Sequence, residues 1–209
     1  MSSMYDRLVA WEKEEGKILF EKMCWRKDAK VLDYGCGYGH YSVALARGLN
    51  ELGKVYAVDI KSDCLKELQV KLEACGIQNV EVQKGNKDYK LDFEDESLDI
   101  VLYYNLLHGG DGSHKKTLLE EAHRVLKKNG ILSILPFHLS NFRDEEGNKK
   151  KYTYAQLIHE VKRYGYELSS GEAIEGINFE KCHSKYQLSK GEVHIENLER
   201  AEILNFIKL

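Results

Sequence analysis

Short apolar runs alternate with longer amphipathic stretches along most of the chain. Runs of apolar and β-branched residues predict buried strands, and apolar residues that recur every three or four positions predict helices. The predicted strands span residues 30–34, 54–59, 80–83, 98–104, 130–135, 166–170 and 201–209. The predicted helices span residues 3–26, 42–51, 62–76, 113–128 and 153–164. Because strands and helices alternate, we expect an α/β fold with helices on both faces of a sheet.

Length and charge fit a single domain of ordinary size. The chain has 209 residues and a net charge of −3, so long-range attraction to nucleic acid or to an anionic membrane is not indicated. No apolar run approaches the roughly 20 residues that span a bilayer, and the charged N-terminal stretch lacks a secretory apolar region. Five cysteines form no C-x-x-C pair, which argues against a disulfide framework and favours reduced thiols. We therefore expect a cytoplasmic protein.

A glycine-rich turn follows the first predicted strand. In the stretch VLDYGCGYGHYS, residues 31–42, an aspartate ends the strand and three glycines follow at alternate positions. Glycine lets the backbone turn sharply and lets a ligand approach closely, and the helix that follows points its free N–H groups at that ligand. Asp59 ends the next strand, where an acid can bind the two hydroxyls of a ribose. Together these features predict a nucleotide-like cofactor.

The spacing of the glycines distinguishes two classes of cofactor site. A dinucleotide fold requires G-x-G-x-x-G, but His40 stands where its last glycine would be. The pattern is instead D-x-G-x-G-x-G, which resembles motif I of the class I S-adenosylmethionine (SAM) methyltransferases. VYAVDI resembles their second motif, and LHGGD and RVLKKNGIL resemble later segments. The resemblance covers roughly Val31 to Phe137.

The resemblance implies a Rossmann-like, doubly wound and mostly parallel sheet of seven strands, whose last strand is antiparallel and lies between the fifth and the sixth. It implies S-adenosyl-L-methionine as the cofactor, with residues 1–29 as a helical cover on a core of residues 30–209. Residues 176–199 are too many for a plain turn and are expected to form a lid, with a surface excursion as the alternative. The residues predicted to contact the cofactor are Asp33, Gly35, Cys36, Gly37, Gly39, His40, Asp59, Ile60, Asn86 and Tyr104.

Two histidines are the candidate general bases on the acceptor side. His108 and His138 follow the fourth and fifth predicted strands, and open α/β sheets bind ligands at the carboxyl ends of their strands. An imidazole titrates near neutral pH and could take a proton from the acceptor, although a structural role is the alternative for each histidine. With Tyr104, Asn105 and Phe137, they are predicted to form a partly aromatic acceptor pocket.

A metal site is not expected. His108, Asp111 and His114 have a three-residue spacing, but the glycines between them argue against a regular helix that would present them together.

These features predict a methyltransferase that transfers a methyl group in line to a small molecule. A SAM-binding protein without catalysis, such as a regulatory partner, is the alternative from another class. Protein or nucleic-acid substrates are less favoured, because the chain shows no appended recognition domain and no basic stripe with interleaved aromatics. An oxidoreductase that uses NAD is disfavoured by His40. We expect no membrane partner, and the oligomeric state is not indicated.

Overall fold

The computed structural model describes residues 4–24, 26–50, 52–108, 113–137, 139, 142, 148–181 and 194–209. Its helices are α1 (Met4–Lys13), α2 (Glu15–Met23), α3 (His40–Leu49), α4 (Ser62–Cys75), α5 (Ser113–Val125) and α6 (Tyr154–Lys162). Its strands are β1 (Lys30–Tyr34), β2 (Lys54–Asp59), β3 (Val80–Lys84), β4 (Leu98–Tyr104), β5 (Leu126–Leu135), β6 (Tyr166–Lys181) and β7 (His194–Lys208).

The strands form one seven-stranded sheet with the order β3-β2-β1-β4-β5-β7-β6. The first five strands in this order are parallel, and β7 runs antiparallel to both β5 and β6. The expected doubly wound, Rossmann-like sheet with an antiparallel strand between β5 and β6 is therefore confirmed. The strand order reverses between β1 and β4, and ligands of open α/β sheets bind at such a reversal.

Alternation along β4 assigns the helices to the two faces of the sheet. Val101 and Tyr103 belong to an apolar cluster that includes residues of α5 and α6. Ile100, Leu102 and Tyr104 belong to a second cluster, built with residues of α1, α2 and α3. Because successive side chains of a strand point to opposite faces, one buried strand supports both cores. No helix within the described ranges is long and apolar enough to cross a membrane.

The N-terminal cover consists of two helices and not of the single one predicted over residues 3–26. The helical conformation is interrupted at Glu14, whose φ of −115° and ψ of −88° are not helical. A Cβ on Gly16 would lie 2.6 Å from the ring of Trp11, so glycine is needed for the two helices to pack closely. Trp11 is only 1% exposed, and its Nε1 donates to the carbonyl of Glu175 at 2.7 Å. This tryptophan therefore joins the cover to β6.

The fifth helix and the fifth strand meet earlier than predicted. The helix expected to reach Lys128 ends at Val125, and Leu126 already pairs with Leu98. Asn129 and Gly130 lie inside the strand, at an irregularity where Asn129 has a φ of +63°.

The predicted lid segment is partly a β-hairpin. β6 was expected to end at residue 170 and β7 to begin at residue 201. In the structure the two strands pair continuously from Tyr166 with Lys208 to Lys181 with His194, apart from one irregularity. The extended strands were not predicted because charged residues and two glycines interrupt the alternation of apolar and polar residues in this part of the sequence. Residues 182–193 of the predicted segment lie outside the described residues.

Candidate active site

A cavity of about 230 Å³ opens at the carboxyl ends of β1, β2 and β4. Its wall combines the glycine turn after β1, the ends of the neighbouring strands and residues of the β6–β7 hairpin. Eight of the ten residues predicted to contact the cofactor line it, namely Asp33, Gly35, Cys36, Gly37, His40, Asp59, Ile60 and Tyr104. Gly39 and Asn86 are not part of the lining. The strand reversal and the glycine turn thus coincide at one cavity.

The three glycines of the turn have left-handed backbone conformations. Gly35, Gly37 and Gly39 have φ values of +83°, +52° and +76°. A Cβ on Gly39 would lie 2.2 Å from the side chain of Leu68, so this glycine permits the packing of α4. A Cβ on Gly35 would meet Leu106, another cavity residue, at 3.1 Å. The first glycine therefore lets Leu106 pack closely at the cavity, and the third lets Leu68 pack closely behind it.

Asp59 fixes the loops on both sides of the cavity. Its Oδ2 accepts from the backbone N–H of Gly37 at 2.9 Å, and its Oδ1 accepts from that of Lys61 at 2.8 Å. The side chain is nearly buried, at 9% exposure. Each carboxylate oxygen has two lone pairs and can still accept a ligand hydroxyl. The sequence predicted only the ribose contact and gave no sign that Asp59 also fixes the glycine turn.

Asp33 is a buried acid whose pKa is raised by its surroundings. It is buried, and Ser42 Oγ donates to its Oδ2 at 2.6 Å. Burial raises the pKa of Asp33 to about 7; the hydrogen bond from Ser42 opposes this rise and the nearby charge of Asp59 adds to it. A positively charged ligand beside Asp33 would therefore favour its ionised form.

The two cysteines at the cavity are unsuited to nucleophilic chemistry. Cys36 and Cys64 are both buried in the described structure. Burial raises the pKa of Cys36 well above its ordinary value, with smaller contributions from Asp33 and Asp59, and burial also raises the pKa of Cys64. Because the thiolate is the reactive form, burial makes both thiols poorer nucleophiles at neutral pH. The backbone of Cys36, whose N–H donates to Val58 O at 3.1 Å, is its structural contribution.

His40 joins four elements of the fold in one ionic cluster. Its Nδ1 contacts the carboxylate of Glu12 on α1, and its Nε2 lies 3.0 Å from Glu196 Oε2 on β7. Lys71 on α4 donates to Glu12 Oε1 at 3.1 Å. Burial works to lower the pKa of His40, but the hydrogen bonds to Glu12 and Glu196 outweigh it and raise that pKa. His40 therefore lines the cavity with both ring nitrogens engaged by carboxylates.

Two of the five predicted acceptor-pocket residues line the cavity. Tyr104 is buried, and its hydroxyl is 2.8 Å from Ser133 Oγ. Asn105 has a φ of +51°, and its Nδ2 donates to Asn178 Oδ1 at 3.0 Å. Phe137 is packed against the same core as Tyr104. This edge of the cavity thus combines the aromatic ring of Tyr104 with the hydrogen-bonded side-chain amides of Asn105 and Asn178.

The two candidate bases are not placed at the cavity by the structure. His108 follows β4 but is not among the lining residues. His138 and Asp111 lie outside the described residues. Within the described part of the chain, no three potential ligands are grouped as a metal site would require.

The sequence analysis expected residues 176–199 to form a lid but did not single out the hairpin residues that line the cavity. Ile177 and Glu196 line the cavity, although they are distant in sequence from the glycine turn. Tyr41 holds the hairpin, because its hydroxyl accepts from Ile177 N at 2.6 Å and donates to Ile177 O at 3.0 Å. No local motif marks these residues, since only the pairing of β6 with β7 brings them to the cavity.

The comparison with protein families decides which family this site belongs to. A family model described as a methyltransferase domain matches residues 26–194, most of the chain. The chain belongs to the class I SAM-dependent methyltransferase family. S-adenosyl-L-methionine is the cofactor of this methyltransferase domain.

Curated relatives of this methyltransferase domain include a demethylmenaquinone methyltransferase from Geobacillus stearothermophilus. The two are 33% identical over 145 residues, which is 65% of this chain and 58% of that protein. An uncharacterized protein of Haemophilus influenzae is 38% identical over 108 residues, 51% of this chain and 41% of its own length. The chain therefore spans about half the length of these curated relatives.

Solved structures with the same fold include a SAM-dependent methyltransferase from Aquifex aeolicus. Its TM-score is 0.67 at 20% identity, over 95% of this chain and 92% of that one. A putative sarcosine dimethylglycine methyltransferase from Galdieria sulphuraria has a TM-score of 0.65 at 14% identity, over 93% and 85% of the two chains. At these identities the likeness establishes the shared fold.

The residues of the cavity fit the cofactor of this methyltransferase family. Gly35 and Gly37 line the cavity without side chains, which lets a ligand approach their backbone closely. Asp59 retains acceptor capacity for ribose hydroxyls, and Asp33 supplies an acid whose ionised form a cation would stabilise.

Proposed function

We propose that the protein methylates a small organic acceptor, using S-adenosylmethionine as the methyl donor. The observation that carries this proposal is the cavity, which adjoins the glycine turn on one side and the Tyr104–Asn105 edge on the other. A small concave site with mainly apolar walls and a few polar groups is typical for a small ligand. The curated relatives named demethylmenaquinone methyltransferase support an acceptor that is a small molecule and not a protein or a nucleic acid.

When bound, S-adenosylmethionine supplies an activated methyl group on a sulfonium. The glycine turn and Asp59 bind the donor, and Asp33 places a negative charge near the positive ligand. The rings of Tyr41 and Tyr104, whose centroids are 4.8 Å apart, help to exclude water from the site. Asn105 is held by Asn178 and can orient a polar group of the acceptor. Alignment of donor and acceptor, together with the exclusion of water, then contributes much of the rate.

Ligand binding tests the proposed function. Calorimetry should give heat with S-adenosylmethionine and S-adenosylhomocysteine but none with NAD, because His40 replaces the last glycine of the dinucleotide pattern. Heat with NAD alone would contradict the proposal. Binding of S-adenosylmethionine without turnover of any quinol, phenol or amine in a panel of small acceptors would instead support a regulatory protein.

The role of the two candidate bases is a second test. Replacing His108 or His138 by alanine should preserve the affinity for S-adenosylhomocysteine. If the acceptor loses a proton, one replacement should lower turnover about 10²–10⁴-fold, the usual contribution of a general base. His159→Ala, at an exposed position on α6, is the matched control. Normal turnover in both variants would show that positioning suffices.

A further inference from the structure

The ionic cluster around His40 contains one residue from the hairpin. Glu12, His40 and Lys71 come from helices, and their charges sum to +1 when the imidazole is protonated. Glu196, on β7, supplies the negative charge that balances the cluster. The side chains of Glu12 and His40 are 2% and 5% exposed, whereas that of Glu196 is 18% exposed. Glu196 is therefore the carboxylate of the cluster that can leave most easily.

The cavity wall contains two basic side chains with different surroundings. Lys61 follows Asp59 and is exposed, while His40 is buried and lines the cavity together with Glu196. Because Glu12 is shared between His40 and Lys71, a protonated His40 leaves one uncompensated positive charge, and an anion at Nε2 is favoured since buried excess charge is costly. S-adenosylmethionine carries a carboxylate, two cationic groups and two ribose hydroxyls. The acids Asp33 and Asp59 suit the cationic groups and the hydroxyls, but they would repel the carboxylate.

We propose that His40 Nε2 is a carboxylate-binding site inside the cofactor cavity, for which Glu196 and the carboxylate of S-adenosylmethionine compete. This inference rests on the proposed function, since it needs that cofactor in the cavity. Glu196 makes the contact in the present structure, at 3.0 Å. Binding of the cofactor at Nε2 releases Glu196 and with it the constraint that this contact places on the hairpin.

The competition has two consequences. The apparent affinity for the cofactor equals the intrinsic affinity multiplied by the fraction of molecules in which Glu196 has left His40. The hairpin also carries Ile177 and Asn178, which border the cavity and contact Asn105 respectively. Exchange of carboxylates at His40 therefore couples cofactor binding to the acceptor edge of the site.

Calorimetry of Glu196 variants with two probes tests the competition. S-adenosylhomocysteine has the amino-acid carboxylate, whereas 5′-methylthioadenosine shares its adenosine and sulfur but lacks that end. Glu196→Ala should bind S-adenosylhomocysteine about tenfold more tightly than the wild type, as expected when a competitor that occupies about nine tenths of the molecules is removed. Glu196→Gln should gain less, because its amide oxygen still accepts from Nε2. The affinity for 5′-methylthioadenosine should not change.

Glu202→Gln removes a carboxylate from the same strand and serves as the control, with unchanged affinity for both probes. Thermal unfolding of each variant checks that the fold is kept. Unchanged or weaker binding of S-adenosylhomocysteine by Glu196→Ala would overturn the inference, and so would an equal gain for 5′-methylthioadenosine. If the wild type binds S-adenosylhomocysteine and only the gain is missing, the competition fails and the proposed function stands. If the wild type does not bind it, both fail.

Discussion

Replacing Asp59 by alanine should lower the affinity for S-adenosylmethionine at least about a hundredfold, the effect of losing two charge-assisted hydrogen bonds of about 1.5 kcal/mol or more each. The carboxylate is expected to accept both ribose hydroxyls. It also receives the N–H groups of Gly37 and Lys61, so its loss loosens the turn that surrounds the ligand. Calorimetry with S-adenosylhomocysteine measures the change.

Two further variants separate the effects at Asp59. Asp63→Ala removes the same charge from a nearby side chain that is 94% exposed, and its affinity should equal that of the wild type. Asp59→Asn keeps one acceptor oxygen but turns an NH₂ group towards one backbone donor, so it should bind almost as poorly as alanine. Wild-type affinity in a folded Asp59→Ala protein would show that the ribose is bound elsewhere.

Replacing His40 by alanine should reduce the free energy of unfolding by about 3 kcal/mol or more, because it leaves the buried carboxylate of Glu12 without one of its two partners. Urea unfolding measured by circular dichroism gives this value. The double variant Glu12→Ala/His40→Ala should lose clearly less than the sum of the single changes, because the two side chains act as a pair. Additive losses would indicate that the contact contributes nothing to stability.

The stability that the contact between Glu12 and His40 contributes should depend on pH. The pKa of His40 is raised above its ordinary value of 6.5, so its contribution is complete below pH 6.5 and is lost as pH rises through the folded-state pKa. Burial alone would raise the pKa of Glu12, but His40 and Lys71 outweigh it and lower that pKa from its ordinary 4.5. Its contribution is therefore complete above pH 4.5 and is lost as pH falls through the lowered pKa. The difference between wild type and His40→Ala should be largest between pH 4.5 and 6.5, and a flat difference would contradict this.

The sequence predicts most of the sheet because its strands have local signals. The bounds of β4 follow from one apolar run, and a capping box formed by Thr153 and Gln156, three residues apart, begins α6. The glycine turn is equally local, since its three positive φ values need glycine. These elements are determined by residues that are close together in the chain.

The rest of the site depends on contacts between distant residues. The pairing of Ile177 with Leu198 has no local signature, because the ribbon is exposed on one side and contains charged residues. The contact of His40 with Glu196 spans 156 residues, so the sequence could place His40 at the cavity but could not name its partner. The acceptor side could not be predicted for the same reason, since Asn105 and Asn178, which form a hydrogen bond there, are 73 residues apart in the chain.

β7 is held by β5 only from Leu204 to Ile207, while its pairing with β6 continues to His194. The outer ribbon can therefore change in length without altering the register of the other strands. Loss or gain of two residues on each strand keeps the same side chains towards the cavity, whereas a single residue turns every outer side chain to the opposite face. Evolution or a designer can thus change the length of this ribbon in even-numbered steps while Ile177 and Glu196 keep facing the cavity.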